Sequence, residues 1–158
     1  MINFVPEGFV PPRKYESGGF VFLPLSPEFA EADFAAVKTA REHIRALYKI
    51  TGPLEWPTKN LSFEEDKADL IRHYDDFCES RAFAYTVLSE DEKTCLGCVY
   101  IDPSENPDYD AEITLWGLNA EISKMLYKTV KEFLRAFPFK NPAFPVFEIP
   151  LSVWGKVY

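Results

Sequence analysis

Glycine is scarce in this chain, with seven among 158 residues, and none is spaced as a phosphate-cradling loop would require. That excludes a Walker-type loop and a dinucleotide fingerprint. Cysteine is rarer still: three residues, an odd count without the spacing of a disulfide framework, so a reducing cytoplasm is the expected location. The two histidines fall far apart in segments with helical periodicity, and no Gly-x-Ser-x-Gly elbow is present, so nucleophilic hydrolysis has no visible machinery. No apolar run approaches the roughly 20 residues of a membrane span. The opening Met-Ile-Asn-Phe-Val-Pro lacks a basic stretch followed by an apolar one, and no signal peptide is expected. Basic residues are in the minority, 17 against 25 acids, for a net charge of −8. A field of that sign repels nucleic acid and anionic membrane, leaving room only for a local anion site.

What is present is a core. Hydrophobic residues make up 47% and aromatics 16% of the chain, which excludes intrinsic disorder. Residues 1–19 carry Pro6, Gly8, Pro11, Pro12, Gly18 and Gly19 without a sustained period, and read as an N-terminal arm outside the core. Phe20 to Leu25 reads as a strand. Ser26-Pro27-Glu28 then has the chemistry of a helix start. The helix expected over 27–48 places Phe34, Val37, Ala40, Ile44, Leu47 and Tyr48 on one arc, with Arg41 inside it. Gly52-Pro53 ends that segment and Trp56-Pro57 lies in the loop that follows. Ser62 and Glu65 form a capping box for a second helix reaching to about residue 80. Residues 81–88 and 95–101 read as a hairpin across a charged turn, and 111–116 as a third strand. The clearest helix is expected over 119–137, with Ile122, Met125, Leu126, Thr129, Val130, Phe133, Leu134 and Phe137 on its apolar side. A last strand over 143–149 is demoted to an edge by its prolines. This order predicts a mixed α/β (α+β) layer, helices covering a mainly antiparallel sheet.

Few residues stand out as carriers of chemistry. Cys95-Leu96-Gly97-Cys98 matches a redox pair, but on a strand positions three apart face opposite ways. The sulfurs are expected to diverge and to be packing thiols, and no metal is expected. Asp108, Asp110 and Glu112 alternate along an extended segment, a pattern that presents carboxylates to one side. Carboxylates so placed are one way a fold readies a proton acceptor. The glycine and later glutamate of a calcium loop are missing. Arg41 either snorkels at a helix border or reaches a buried anion. The peptide N–H groups at Asn119 to Ile122 are anion donors wherever that helix start meets a cleft.

Taken together, the chain resembles the GNAT superfamily of acyl-CoA N-acyltransferases, as a divergent member with a shortened C-terminus. The likeness lies in "FVFLPLSPEF" running into a helix, "EWPTKNLSFEEDKADL" entering a second, the strands "RAFAYTVL", "LGCVYIDP" and "DAEITLW", and a long helix before "FPFKNPAFP". It implies an N-terminal arm over 1–19 and one GNAT-like domain over 20–158. It also implies a third strand that splays from a parallel neighbour to admit the pantetheine arm of acetyl-CoA or another acyl-CoA. By this resemblance Trp116 to Leu118 would meet pantetheine, and Asn119 to Lys124, Ser123 included, would face the pyrophosphate. Glu112 would be the catalytic base; Trp56 and Arg41 are the substrate-side candidates. The acceptor would be a small-molecule or peptide amine, and homodimerisation is open. Where the family carries paired glycines, this chain has Leu118-Asn119-Ala120-Glu121. The alternative is a catalytically inactive GNAT-like domain that binds another small molecule or a protein partner.

Overall fold

The structure, a computed structural model, describes residues 3–158. Its centre is a six-stranded sheet of β1 (Tyr15–Ser17), β2 (Phe20–Pro24), β3 (Phe83–Leu88), β4 (Cys95–Asp102), β5 (Ala111–Gly117) and β6 (Pro142–Ala143), in that spatial order. Every neighbouring pair is antiparallel except β5–β6, which is parallel. This is the mixed, mainly antiparallel α+β architecture that the order of elements predicts.

Helices cover both faces. After a 3-10 turn at Pro27–Phe29, α1 (Ala30–Leu47) lies with Leu70 of α2 (Phe63–Cys78) on one face, over Ala84, Leu88, Cys98 and Trp116. The Ser62–Glu65 capping box forms as expected and satisfies donors at the start of α2. On the other face α3 (Ala120–Phe133) sets Leu126, Val130 and Phe133 against Phe22, Tyr85, Val99, Ile113 and Leu115. Phe133 meets Phe22, Tyr85 and Phe137 edge-on, with ring centroids 4.9, 4.9 and 5.2 Å apart. A short α4 (Leu151–Trp154) follows β6. Among the described residues no helix is long and apolar enough to cross a membrane.

Four expectations are corrected. Residues 4–17 are not a bare arm: β1 adds a strand, Val5 is buried, and Phe4 and Phe9 pack on the aromatic core. Three residues of strand carry too little alternation to be visible in sequence. Met125 is 49% exposed, outside the buried stripe of α3, which is narrower than the apolar half-cylinder of the sequence. The last strand is only Pro142–Ala143, because Pro145 cannot donate to a ladder. Finally, Cys95 and Cys98 do not diverge. Leu88 pairs with Cys95 and Val87 with Gly97, so Leu96 is an extra residue in β4. Such a bulge resets the alternation: Leu96 faces the α3 layer, while both cysteines face α1 and α2.

Candidate functional site

β5 and β6 touch at only two positions, Ala111 with Pro142 and Glu112 with Ala143. Beyond them β5 runs on to Gly117, and among the described residues no strand pairs with that edge. Leu115 turns its peptide toward this opening, and the Tyr48 hydroxyl occupies it. That hydroxyl donates to the Leu115 carbonyl and accepts from the Leu115 N–H, both at 2.9 Å. Burial pushes the Tyr48 phenol above its ordinary range. Two residues on, the Gly117 N–H donates to Ser123 Oγ at 2.9 Å, and His43 Nε2 lies 2.8 Å from the same oxygen. Gly117 has no room for a side chain: a Cβ there would lie 2.6 Å from Ile122 Cγ2 and 2.8 Å from the Ser123 nitrogen.

The start of α3 abuts this edge. Asn119 caps the helix, its side-chain oxygen accepting from Ile122 N at 2.9 Å, while Ser123 N donates to the Asn119 carbonyl. The N–H groups of Ala120 and Glu121 are the two at this helix end without such a partner. Lys124 is exposed beside them. The peptide of Leu118 belongs to the other side, its N–H donating to Leu96 O at 3.0 Å. Trp116 is buried against α1 and α2, its indole N–H donating to the Tyr100 hydroxyl at 3.0 Å. Of the stretch Trp116–Leu118, then, only Gly117 turns its N–H to the open edge.

Glu112 is 5% exposed and accepts from three donors: Trp154 Nε1 at 3.0 Å and the Tyr158 hydroxyl at 2.7 Å on Oε1, and Lys156 Nζ at 2.8 Å on Oε2. Burial and the Glu112 carboxylate push the Tyr158 phenol up. Asp108 and Asp110 do not share this environment. Both are exposed, and Asp110 fixes the approach to β6 by accepting from Lys140 N at 2.6 Å and Asn141 N at 3.1 Å. Trp154, Lys156 and Tyr158 were missed as partners of Glu112, since only the turn of the chain through α4 brings them back across β5.

A cavity of about 320 Å³ opens next to these groups, lined by Tyr48, Trp56, Asp69, His73, Tyr100 and Tyr158, among others. Tyr48, Trp56, Tyr100, Trp116 and Tyr158 give it aromatic walls, and Glu55, Asp69 and Arg72 add charge. His73 lies against Tyr100 with ring centroids 5.4 Å apart, and burial lowers its proton affinity. The Trp56 indole N–H is buried without a hydrogen-bond partner. Tyr158 is the link, since its ring faces the cavity and its hydroxyl reaches Glu112. Arg41 lies elsewhere: its Nε donates to Pro57 O at 3.1 Å, its guanidinium pairs with Glu42, and it borders a separate crevice of about 120 Å³. Together with Arg45, which donates to Gly52 O at 2.7 Å and Glu55 O at 2.8 Å, it pins the loop that carries Trp56.

No family model matches the chain, and no curated protein matches its sequence. Solved structures do match. The ribosomal-protein-S5-alanine acetyltransferase from Vibrio fischeri is 14% identical, with a TM-score of 0.55 over 78% of this chain and 68% of its own. A Bordetella pertussis protein described as a GNAT-family acetyltransferase gives 13%, 0.57, 78% and 70%. FdhC, a nucleotide-linked sugar GNAT, gives 14%, 0.57, 85% and 72%. At such identities the likeness is one of architecture. This chain has the GNAT acetyltransferase fold.

Proposed function

We propose that this chain is an acyl-CoA-dependent N-acyltransferase acting on a small amine. The observation that carries the reading is the unpaired edge of β5 beside an aromatic cavity, with Tyr158 joining that cavity to Glu112. An acyl-pantetheine arm laid along β5 would take the Leu115 N–H and C=O in place of the Tyr48 hydroxyl, which swings aside. Its pyrophosphate would meet the N–H groups of Ala120 and Glu121, with Ser123 and Lys124 nearby, at the positive end of α3. The amine nitrogen in the cavity attacks the thioester carbon and the thiolate of CoA leaves. The amine proton passes through the Tyr158 hydroxyl to Glu112. Trp56, with its unpartnered N–H, offers the acceptor a hydrogen bond.

A second reading has its own support. Glu112 is saturated by three donors, and the Asn119 side chain takes one of the N–H groups an anion would use. A GNAT scaffold that binds a different small molecule or a protein partner accounts for both. Titration with acetyl-CoA separates the two. At a hundredfold excess over its dissociation constant a ligand adds about 2.7 kcal/mol to stability. A rise in thermal midpoint supports acyl transfer; a midpoint unmoved at millimolar acetyl-CoA decides for the second reading.

A further inference from the structure

Between the sheet and the first turns of α1 and α2 lies a cluster that acyl transfer does not use. Asp33, 3% exposed, is the fourth residue of α1; Asp66, 2% exposed, is the fourth of α2. Cys95 and Cys98, both buried, come up from β4 because of the bulge at Leu96. The Asp33, Cys95 and Cys98 donor atoms all lie within 4.8 Å of one another, and Cys98 Sγ is 3.3 Å from Asp33 Oδ1. Asp66 lies beside Asp33, whose carboxyl acts on it, and its Oδ2 is buried with no hydrogen-bond partner among the described residues. Three donors from α1 and β4 thus form one group in the core, and Asp66 of α2 stands next to it. Burial drives both carboxyls above the usual carboxylate range.

We infer that Asp33, Asp66, Cys95 and Cys98 form a structural site for a divalent metal ion of zinc's kind. Two sulfurs and two carboxylate oxygens make a tetrahedral donor set for such an ion. With metal–sulfur bonds of about 2.3 Å and metal–oxygen bonds of about 2.0 Å, neighbouring donors sit about 3.3–3.8 Å apart. Asp33 Oδ1 and Cys98 Sγ, 3.3 Å apart, already stand near that spacing, and Asp66, which lies outside the group of three, moves in as the fourth ligand. The ion offsets the buried negative charge of the deprotonated ligands, and it gives Asp66 Oδ2 the partner it lacks. The two carboxylates sit at the positive ends of their helices, which favours their ionised form. Bridging α1, α2 and β4, the ion would lock the helix pair to the sheet on the side opposite α3. The site is independent of acyl transfer, since none of its ligands touches Glu112 or the β5 edge.

The test uses the Cys78→Ser chain, so that the remaining thiols are the two in question; Cys78 is exposed. The reduced protein is titrated with Cd²⁺ and followed by its thiolate-to-metal charge-transfer absorption. The expected result is a band that saturates at one ion per chain, with release of protons, a rise in thermal midpoint and displacement by Zn²⁺. Asp33→Asn and Asp66→Asn keep the band but weaken Cd²⁺ binding about tenfold or more. The inference is overturned if the folded chain, checked by circular dichroism, gives no band. It is equally overturned if both Asn variants bind Cd²⁺ as tightly as the parent, or if the purified protein holds a Cys95–Cys98 disulfide. The titration of the parent decides the matter even if an Asn variant does not fold.

Discussion

Tyr48, at the end of α1, and Leu115, in the middle of β5, exchange two hydrogen bonds of 2.9 Å through a single hydroxyl. A side chain thereby does the work of a sheet neighbour on an edge where none exists. Removing it in Tyr48→Phe leaves a buried N–H and C=O unpaired, at a cost of about 1–3 kcal/mol. Urea denaturation will show that loss. On the acyl-transfer reading the same variant binds acetyl-CoA more tightly than the parent, because a competitor for Leu115 has gone. Calorimetry measures the ratio, and equal or weaker binding in the variant would count against pantetheine at this edge.

Glu112 makes a sharper case. Replaced by Gln, Oε1 can still accept from Trp154 and Tyr158, but the new amide confronts Lys156 with a donor. Stability should fall by about 1–3 kcal/mol, with Lys156 and Tyr158 freed from β5. If Glu112 receives the amine proton, amine-dependent release of CoA thiol drops about 10²–10⁴-fold. A rate within twofold of the parent removes Glu112 from the chemistry.

Asp102 governs a pH response. Burial, followed by the charge of Glu112, raises its folded value to about 6 from an ordinary 3.8. The folded chain therefore holds this proton more tightly than the unfolded one. The group's favourable contribution is complete below the unfolded value and is lost as pH rises through about 6. Asp102→Asn should match the parent near pH ~4 and exceed it in stability above pH ~7, by at most about 3 kcal/mol. Denaturation curves at three pH values test this, and a gain that shrinks with rising pH would refute it.

Gly117→Ala probes the contact between β5 and α3. Its Cβ would press on Ile122 and on the Ser123 nitrogen, so the helix start must back away. Overpacking of this kind costs about 1–3 kcal/mol, seen as a lower denaturation midpoint, and it should also disturb the Ser123–Gly117 hydrogen bond. An unchanged midpoint would mean that the α3 start yields freely.

Much of the scaffold was legible. Ser62 and Glu65 announced the start of α2 because a capping box is a local device, complete within four residues. The hairpin of β3 and β4 was legible because two branched and aromatic runs flank a charged turn. Glu112 stood out among the acids because it alternates with apolar neighbours on a strand. Its three donors did not, since the short α4 has no period of its own and the contacts span more than forty residues. Asp33 and Asp66 look like ordinary first-turn acids, and only the packing of two helices on one sheet shows that they are buried together. Tyr48 sat on the expected apolar arc, but nothing local marks which tyrosine spends its hydroxyl on a distant peptide.

The inserted residue at Leu96 has a consequence for the evolution and engineering of the chain. Deleting it would restore plain up-and-down order to β4 and leave Cys95 and Cys98 two positions apart, still on the face that meets α1 and α2. The same four residues paired without the bulge would instead send the two sulfurs to opposite faces of the sheet, with composition and hydrophobicity unchanged. One step of pairing register between β3 and β4 thus decides whether this core contains a thiol pair or two unrelated cysteines.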